Sequence, residues 1–436
     1  MEKSGYNHSV TLRIEKCKGC TNCLTRCPTE AIRIRGGHAE IDASLCIDCG
    51  ECIRVCTHKA KKAKYDHLSE LDSYKYKIAL PAPSLYGQFN NLVDLDYLID
   101  GLYRIGFDDV YEVSRAAETV TAYTRRYLKR TDVKLPVISS ACPAVTRLIT
   151  LRYPSLCDHI LPIRSPMEIA ASQARKKALA EHPELKSEEI GIAFISPCPA
   201  KVSFVKNSPE EEKTDVDVVL SMSEVYFALL SVMRMDNVPQ YSSESGMLGV
   251  GWASTGGEST ALFNEKYLAA DGIENVIQVL DHLEDGSLSE LEFIELGACP
   301  AGCTGGVLTV ENPYIAGARL TNLRRTLPIS RTMLRTEKGE DETFIPEALW
   351  ASTPANIPAK ALGQTLDDAM DKMAKIEKIY VRLPDHDCGS CGSPTCRTFA
   401  EDVVKGEVTE DQCIVNMRAL IEELAKQIGN GSFGKE

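Results

Sequence analysis

The sequence predicts an α/β chain, α+β overall, with a small cysteine-rich module at each end. Three observations predict it. Eight of the 17 cysteines fall within residues 17–56 in two copies of one spacing, and four more gather at 388–413. Between these groups, from about residue 75, short apolar runs alternate with helix-patterned segments, the sign of strands joined by covering helices.

Size and composition bound the possibilities. At 436 residues the chain has room for two or three domains of roughly 150 residues each. A formal charge of -13 argues against a polyanionic partner, so no nucleic acid is expected. The longest apolar run, VYFALLSVM at 225–233, falls short of the ~20 residues of a membrane span. The start MEKSGYNHSVTLR lacks the apolar core of a signal peptide, so no membrane insertion and a cytoplasmic location are expected. A reducing cytosol keeps thiols out of disulfides, which makes metal binding the default reading of 17 cysteines.

Residues 1–70 read as a ferredoxin-like domain. CKGCTNCLTRCPTEAI at 17–32 and CIDCGECIRVCTHKA at 46–60 repeat one unit. In C-x2-C-x2-C-x3-C, three thiolates on one tight loop hold three corners of a 4Fe-4S cubane, and the fourth cysteine serves the other cluster. Cys17, Cys20, Cys23 and Cys56 are therefore assigned to one cluster, and Cys46, Cys49, Cys52 and Cys27 to a second. Thr57 stands where the second copy would carry proline, which leaves the ligand count untouched. Zinc would need paired cysteines separated by a longer loop and would leave cysteines over.

Residues 71–335 read as the α/β domain. YKIALPAPS, VYEVS, LPVISSACP, IGIAFISPCPA and DVDVVLSM are its apolar runs, and LVDLDYLIDGLYRIGF is a helical pattern. Residues 336–380 read as a linker and helix: ASTPANIPAKALGQT at 351–365 is Pro/Ala-rich, and TLDDAMDKMAKIEKIY is amphipathic. Residues 381–436 hold Cys388, Cys391 and Cys396 as C-x2-C-x4-C, with Cys413 after a helical segment. Four thiolates again suit a cubane, although the spacing alone does not exclude zinc. The stretch resembles the small iron–sulfur domain of corrinoid iron–sulfur proteins and membrane electron-transfer complexes in its DCG, CG, PTC, FA and KGE.

Five cysteines remain. SSACP at 139–143, SPCPAK at 196–201 and ACPAGC at 298–303 each place a cysteine beside proline just after an expected strand or at a helix start, which groups Cys142, Cys198, Cys299 and Cys303, while Cys157 has no motif and reads as a core thiol. Cys299 and Cys303, four apart, are expected on one face of a helical turn.

These loops, in this order and beside a ferredoxin repeat, resemble the active-site loops of the FeFe hydrogenases. The likeness covers roughly residues 75–325 and includes GFDDVYEVS at 106–114, the DVDVVL strand at 215–220 and TGGE at 255–258. The resemblance implies a hydrogenase H-domain of two α/β lobes around an H-cluster: a 4Fe-4S cubane held by Cys142, Cys198, Cys299 and Cys303, bridged through Cys303 to a two-iron subsite with carbonyl, cyanide and dithiolate. It implies three accessory 4Fe-4S clusters in the flanking modules. Lys201 matches a lysine that donates to a cyanide, Ala82, Pro83 and Ser84 match a segment lining the same cyanide, and Pro166 matches another wall residue.

Several positions depart from the family pattern. Ala141 stands where a proton-shuttling cysteine is usual, Ser196 and Gly297 where methionines pack on the two-iron site, and Met167 where glutamine is usual. Phe204, Tyr123 and Thr124 occupy places of family carboxylates, so the usual acid–base route is missing. The reading that follows is interconversion of H2 with protons and electrons, slowed by Ala141 and using Ser196 with water as a proton path. The same cluster could serve an H2 or redox sensor, or the site could hold a cubane alone, as in the hydrogenase-like proteins of cytosolic iron–sulfur assembly. Expected partners are H2 and protons, ferredoxin or another redox protein, and hydrogenase maturation factors. No GxGxxG opens a helix after a strand, so nicotinamide binding is not expected.

Overall fold

The computed structural model describes residues 6–208, 213–233, 238–332, 341–357, 362–363 and 365–430. Part of the Pro/Ala linker read at 351–365, namely 358–361 and 364, lies outside the described residues, as do 336–340. Two compact units emerge. The larger is built from Ala63–Ile357 with Ile47–Gly50 and the segment up to Thr11; the smaller comprises Leu12–Cys46, Glu51–Lys62 and the chain from Pro358.

Among the described residues eleven strands follow in order: β1 (Val10–Leu12), β2 (Ile32–Arg35), β3 (His38–Ile41), β4 (Lys61–Ala63), β5 (Tyr76–Pro81), β6 (Asp109–Val110), β7 (Val137–Ile138), β8 (Ile190–Ser196), β9 (Val218–Ser221), β10 (Tyr267–Asp271) and β11 (Phe293–Gly297). In the larger unit they form two parallel sheets, in the orders β6-β5-β8-β9 and β10-β11-β7. This is the mixed α/β architecture with two lobes that the sequence predicts.

The first sheet is read most easily from sequence because helices cover both faces and its inner strand β8 is apolar at nearly every position. All seven residues of β8 are buried. Its register sets Ile192 beside Ile78 and Phe194 beside Leu80, and on the other side Ile195 beside Leu220. Burying a side chain such as Phe194, 1% exposed, contributes roughly 1.5–3 kcal/mol. The helices Val113–Leu128 and Pro166–Glu181 add Val113, Ala116, Val120, Ile169 and Ala170 to this core. The second sheet has its own core around Ile138, Leu148, Val276, Ile294 and Leu296.

The helical pattern at 92–107 becomes a helix over Asp96–Arg104 that buries Leu98, Ile99 and Leu102. Gly106, at φ 104°, stops it: its N–H donates to Tyr103 O, and Phe107 N–H reaches back to Leu102 O. VYEVS contributes only Val110 to a strand, since the long helix starts at Val113.

In the smaller unit β2 and β3 form an antiparallel hairpin, with Ile32 beside Ile41 and Arg35 beside His38. Gly36 and Gly37, at φ 55° and 80°, make its two-residue turn, which requires positive φ at both positions. The helix Leu366–Tyr380 is capped by Thr365, whose Oγ1 accepts from Asp368 N at 3.2 Å. It buries Ile376 and Ile379 with Ala400 of the helix Cys396–Val404. The terminal helix runs over Ile414–Asn430.

Candidate active site

The three cysteine loops of the larger unit sit at the carboxyl ends of parallel strands, where open α/β sheets present their ligands. β7 leads to Cys142, β8 to Cys198 and β11 to Cys299 and Cys303. Proline explains the local geometry at two of them. Pro143 and Pro199 open the helices Pro143–Arg152 and Pro199–Asn207, and a residue before proline is held extended. Cys142 and Cys198 are accordingly extended N-cap residues, with their thiols at helix starts.

The third loop corrects the expected helical turn. Ala301 and Gly302 are both left-handed, at φ 58° and 77°, and only Gly302–Gly305 form a short 3-10 turn. A Cβ on Gly302 would lie 2.7 Å from the backbone N of Thr255 and 3.0 Å from Ser254 C, so the glycine is a steric requirement. Close backbone approach, rather than helical periodicity, brings Cys303 to the centre.

Cys142, Cys198, Cys299 and Cys303 line one cavity of about 640 Å³, together with Lys201, Trp252, Glu258, Glu295 and Gly297. A second cavity of about 500 Å³ is lined by Ala82, Pro83, Ser84, Pro166, Met167, Phe194 and Trp252. Ala141, Pro197, Lys201, Trp252 and Cys303 belong to both walls. Cys303 thus faces the thiol-lined cavity on one side and the apolar one on the other.

Burial pushes the Cys303 thiol up to about 12, opposed by the Lys201 ammonium and reinforced by Cys198, Cys142 and Glu295. Cys198 is raised for the same leading reason. Thiols so buried hold their protons until a metal cation displaces them, and metal binding then releases those protons. The donor set suits soft iron–sulfur ligation.

Lys201 Nζ donates to Ala141 O at 2.9 Å, and the helix Pro199–Asn207 carries it. Ser84 is fully buried, and its hydroxyl has no hydrogen-bond partner. An orphaned buried hydroxyl in a cavity wall marks a place for a polar ligand atom. With Lys201 and Cys303 it makes a corner suited to a metal-bound group with anionic ligands.

Two sequence-derived residues lie elsewhere than expected. Ser196 lines neither cavity: its Oγ donates to Cys198 O at 2.9 Å and accepts from Cys198 N at 3.3 Å, bracing the ligand loop. Gly297 lines the thiol cavity and not the apolar one. Cys157 is buried in the second core, as a structural thiol would be.

Two carboxylates escaped the sequence reading. Glu258 is 4% exposed, and its Oε2 accepts from Ser139 Oγ at 2.6 Å, while Oε1 is without a partner. Burial, then repulsion from Glu295, pushes its carboxyl well above the usual range. Glu295 accepts from Gly256 N at 2.9 Å and Ser259 N at 2.8 Å, and burial raises it too. Two buried carboxyls with these environments share protons, and Glu258 keeps the neutral form. TGGE and FIELG contain both residues, and the signal was a carboxylate set among small or apolar neighbours.

The smaller unit gathers two further sets of thiols. Cys17, Cys20, Cys23 and Cys56 lie close enough that the first, second and fourth raise the Cys23 pKa, although burial dominates and brings it to about 11. Cys388, Cys391, Cys396 and Cys413 line a cavity of about 320 Å³. Cys27, Cys46 and Cys52 also belong to this unit, while Cys49 falls in the larger one.

Fold and thiol sites together suit an iron–sulfur protein. Comparison with known proteins shows what the chain resembles. Residues 75–265 match the iron-only hydrogenase large subunit, C-terminal domain; residues 10–57 match a 4Fe-4S dicluster domain, and residues 383–415 match an Fe-S cluster domain. The chain is similar to the FeFe hydrogenases over these residues, and the matches support a divergent relative of that family. Among its relatives, the periplasmic Fe hydrogenase large subunit of Nitratidesulfovibrio vulgaris is 25% identical over 366 residues, covering 69% of this chain and 86% of that protein. A cytosolic Fe-S cluster assembly factor NAR1 homolog of Schizosaccharomyces japonicus is 23% identical over 249 residues, covering 55% of this chain and 47% of that protein. A solved FeFe hydrogenase chain aligns over 66% of this chain and 98% of its own length, with a TM-score of 0.49 and 17% identity. Among the described residues no helix is long and apolar enough to cross a membrane.

Proposed function

We infer that this protein is an H2-responsive oxidoreductase that interconverts H2 with protons and electrons at an H-cluster, with slow turnover. One observation carries the reading: Cys303 stands in the wall common to a thiol cavity and an apolar cavity, and the apolar one contains the orphaned Ser84 hydroxyl and faces Lys201. That second, adjoining space favours a two-iron group beside the cubane over a cubane alone.

Cys142, Cys198, Cys299 and Cys303 would hold the cubane, with Cys303 shared with the two-iron subsite. When bound, that group supplies heterolytic cleavage of H2 and a route for two electrons. Lys201 and Ser84 would donate to its anionic ligands, and Phe194, Met167 and Pro166 would keep the space dry. Ala141 cannot relay a proton. The protein's own proton holder is Glu258, neutral through burial, joined to Ser139 Oγ and backed by Glu295. Ser139 in turn accepts from Ala141 N at 3.2 Å, so this chain of groups begins beside the missing relay position. Electrons would pass to the iron–sulfur sites of the smaller unit and to ferredoxin or another one-electron carrier protein, and separate maturation proteins would supply the two-iron subsite.

The replacement of the relay cysteine by Ala141 also favours a second use of the same chemistry, in which slow reaction with H2 reports the gas instead of consuming it. The assembly-factor relatives support a cubane-only alternative. Infrared spectroscopy of protein reconstituted with iron, sulfide and a synthetic two-iron precursor, under H2 and then inert gas, tests the reading. Carbonyl and cyanide bands that shift with H2 are expected. Full cubane iron without such bands would replace it with the cubane-only reading.

A further inference from the structure

In the smaller unit the C-terminal cysteine module is locked onto the ferredoxin-like repeat by an arrangement that a mere tether would not need. Arg33 and Asp402, 369 positions apart, meet with Nε donating to Oδ2 at 2.7 Å. Arg35 Nη2 donates to the same oxygen at 2.7 Å, and Ser393 Oγ adds a third donor at 2.6 Å. The Asp402 side chain is 1% exposed, and a carboxylate buried so deeply is tolerated only when paired and hydrogen-bonded. Gly392 O accepts from Ile34 N at 2.9 Å and from Arg35 Nη1 at 2.8 Å, which splices the cysteine loop onto β2. Thr398 donates to the Glu30 carboxylate.

The approach is closest beside the metal ligands. Gly389, next to Cys388, has φ 69°, and a Cβ there would lie 2.7 Å from Leu24 Cδ2, 3.4 Å from Thr25 and 3.5 Å from Thr21. Leu24 follows Cys23 and is fully buried. The immediate neighbours of a ligand in each quartet are therefore in van der Waals contact, and glycine at 389 permits it. Within the C-terminal quartet, Cys396 and Cys413 are buried and Cys388 is exposed, so that edge of the quartet faces solvent.

We propose that the Cys388, Cys391, Cys396 and Cys413 quartet is an electron port wired to the Cys17, Cys20, Cys23 and Cys56 quartet through the Cys388–Gly389 and Cys23–Leu24 contact. This rests on both quartets holding 4Fe-4S clusters. A reduced one-electron iron–sulfur carrier protein gives one electron at the exposed Cys388 edge, and the electron moves to the neighbouring quartet. Each transfer oxidises one centre and reduces the next, and no bond is formed or broken. The Arg33 and Arg35 clamp on Asp402 fixes the separation, on which electron tunnelling depends steeply.

Electron paramagnetic resonance of the dithionite-reduced, reconstituted full chain tests this. Two reduced cubanes in contact through these residues give spin–spin broadening and fast relaxation. In a Cys391→Ser, Cys413→Ser variant, iron falls by about four atoms per chain, the content of one cubane, and the signal of the Cys17 quartet narrows. Unchanged width despite that loss of iron overturns the wiring while leaving the cluster reading intact. Iron equal to that of the unsubstituted chain overturns the cluster reading itself. Asp402→Asn retains every cysteine and serves if the first variant does not fold: iron is retained and the interaction weakens, whereas an interaction of unchanged strength overturns the role of the clamp.

Discussion

Gly302→Ala is the sharpest test of how the loop delivers Cys303. The residue sits at φ 77°, where a side chain costs about 1–2 kcal/mol. Its Cβ would also stand 2.7 Å from Thr255 N and 3.0 Å from Ser254 C, both backbone atoms that cannot turn aside. Crowding of this kind adds about 1–3 kcal/mol, for a total of roughly 2–5 kcal/mol. Gly286, at φ 75° with nothing within 4 Å of a built Cβ, isolates the first contribution. At about 2 °C per kcal/mol for a unit of this size, Gly302→Ala should melt roughly 4–10 °C lower and Gly286→Ala roughly 2–4 °C lower. Differential scanning fluorimetry with iron analysis reads both, and Gly302→Ala should also lose cluster iron while Gly286→Ala keeps it. Equal melting temperatures and equal iron would refute the claim that backbone crowding sets this turn.

Ser84→Ala removes a buried hydroxyl that has no partner, so the chain without the two-iron group should melt at the same or a higher temperature, by up to about 1–3 kcal/mol of stability. The cyanide bands of the loaded protein should shift; identical bands would exclude Ser84 from that contact. Glu258 has a folded-state pKa above its usual 4.5, so its stabilising contribution is complete below that value and is lost as pH rises toward the folded value. Glu258→Gln should therefore gain stability relative to the unsubstituted chain as pH rises above 4.5, by at most about 1.4 kcal/mol per pH unit. A gap independent of pH in denaturant titrations would mean that Glu258 is ionised. Ala141→Cys places a proton donor in the wall shared by both cavities and should raise H2 turnover by about 10²-fold or more. Gas-chromatographic rates unchanged by the thiol would show that proton delivery is not what limits the protein.

The sequence was legible wherever function or burial is written locally. C-x2-C-x2-C gathers three thiols without help from the rest of the chain, and β8 is apolar at nearly every position because both of its faces are covered. What escaped depends on distant packing. Glu258 is an ordinary polar residue in TGGE until Ser139 and Glu295 surround it. Ser196 suits a proton path by sequence position, yet its hydroxyl is bonded to the backbone of the Cys198 loop. The spacing of Cys299 and Cys303 fits a helical turn, but Thr255 leaves room only for a left-handed glycine between them. VYEVS was overruled by the helix that starts at Val113, since helical contacts within Val113–Leu128 outweigh a two-residue extension of β6.

The distribution of ligands in sequence also orders biogenesis. Cys17, Cys20 and Cys23 emerge together, so three of the four thiols of that quartet are neighbours before any sheet exists. Cys142, Cys198 and Cys303 span 161 positions and meet only after β7, β8 and β11 have entered two different sheets. Their cavity is thus a product of folding and not its nucleus.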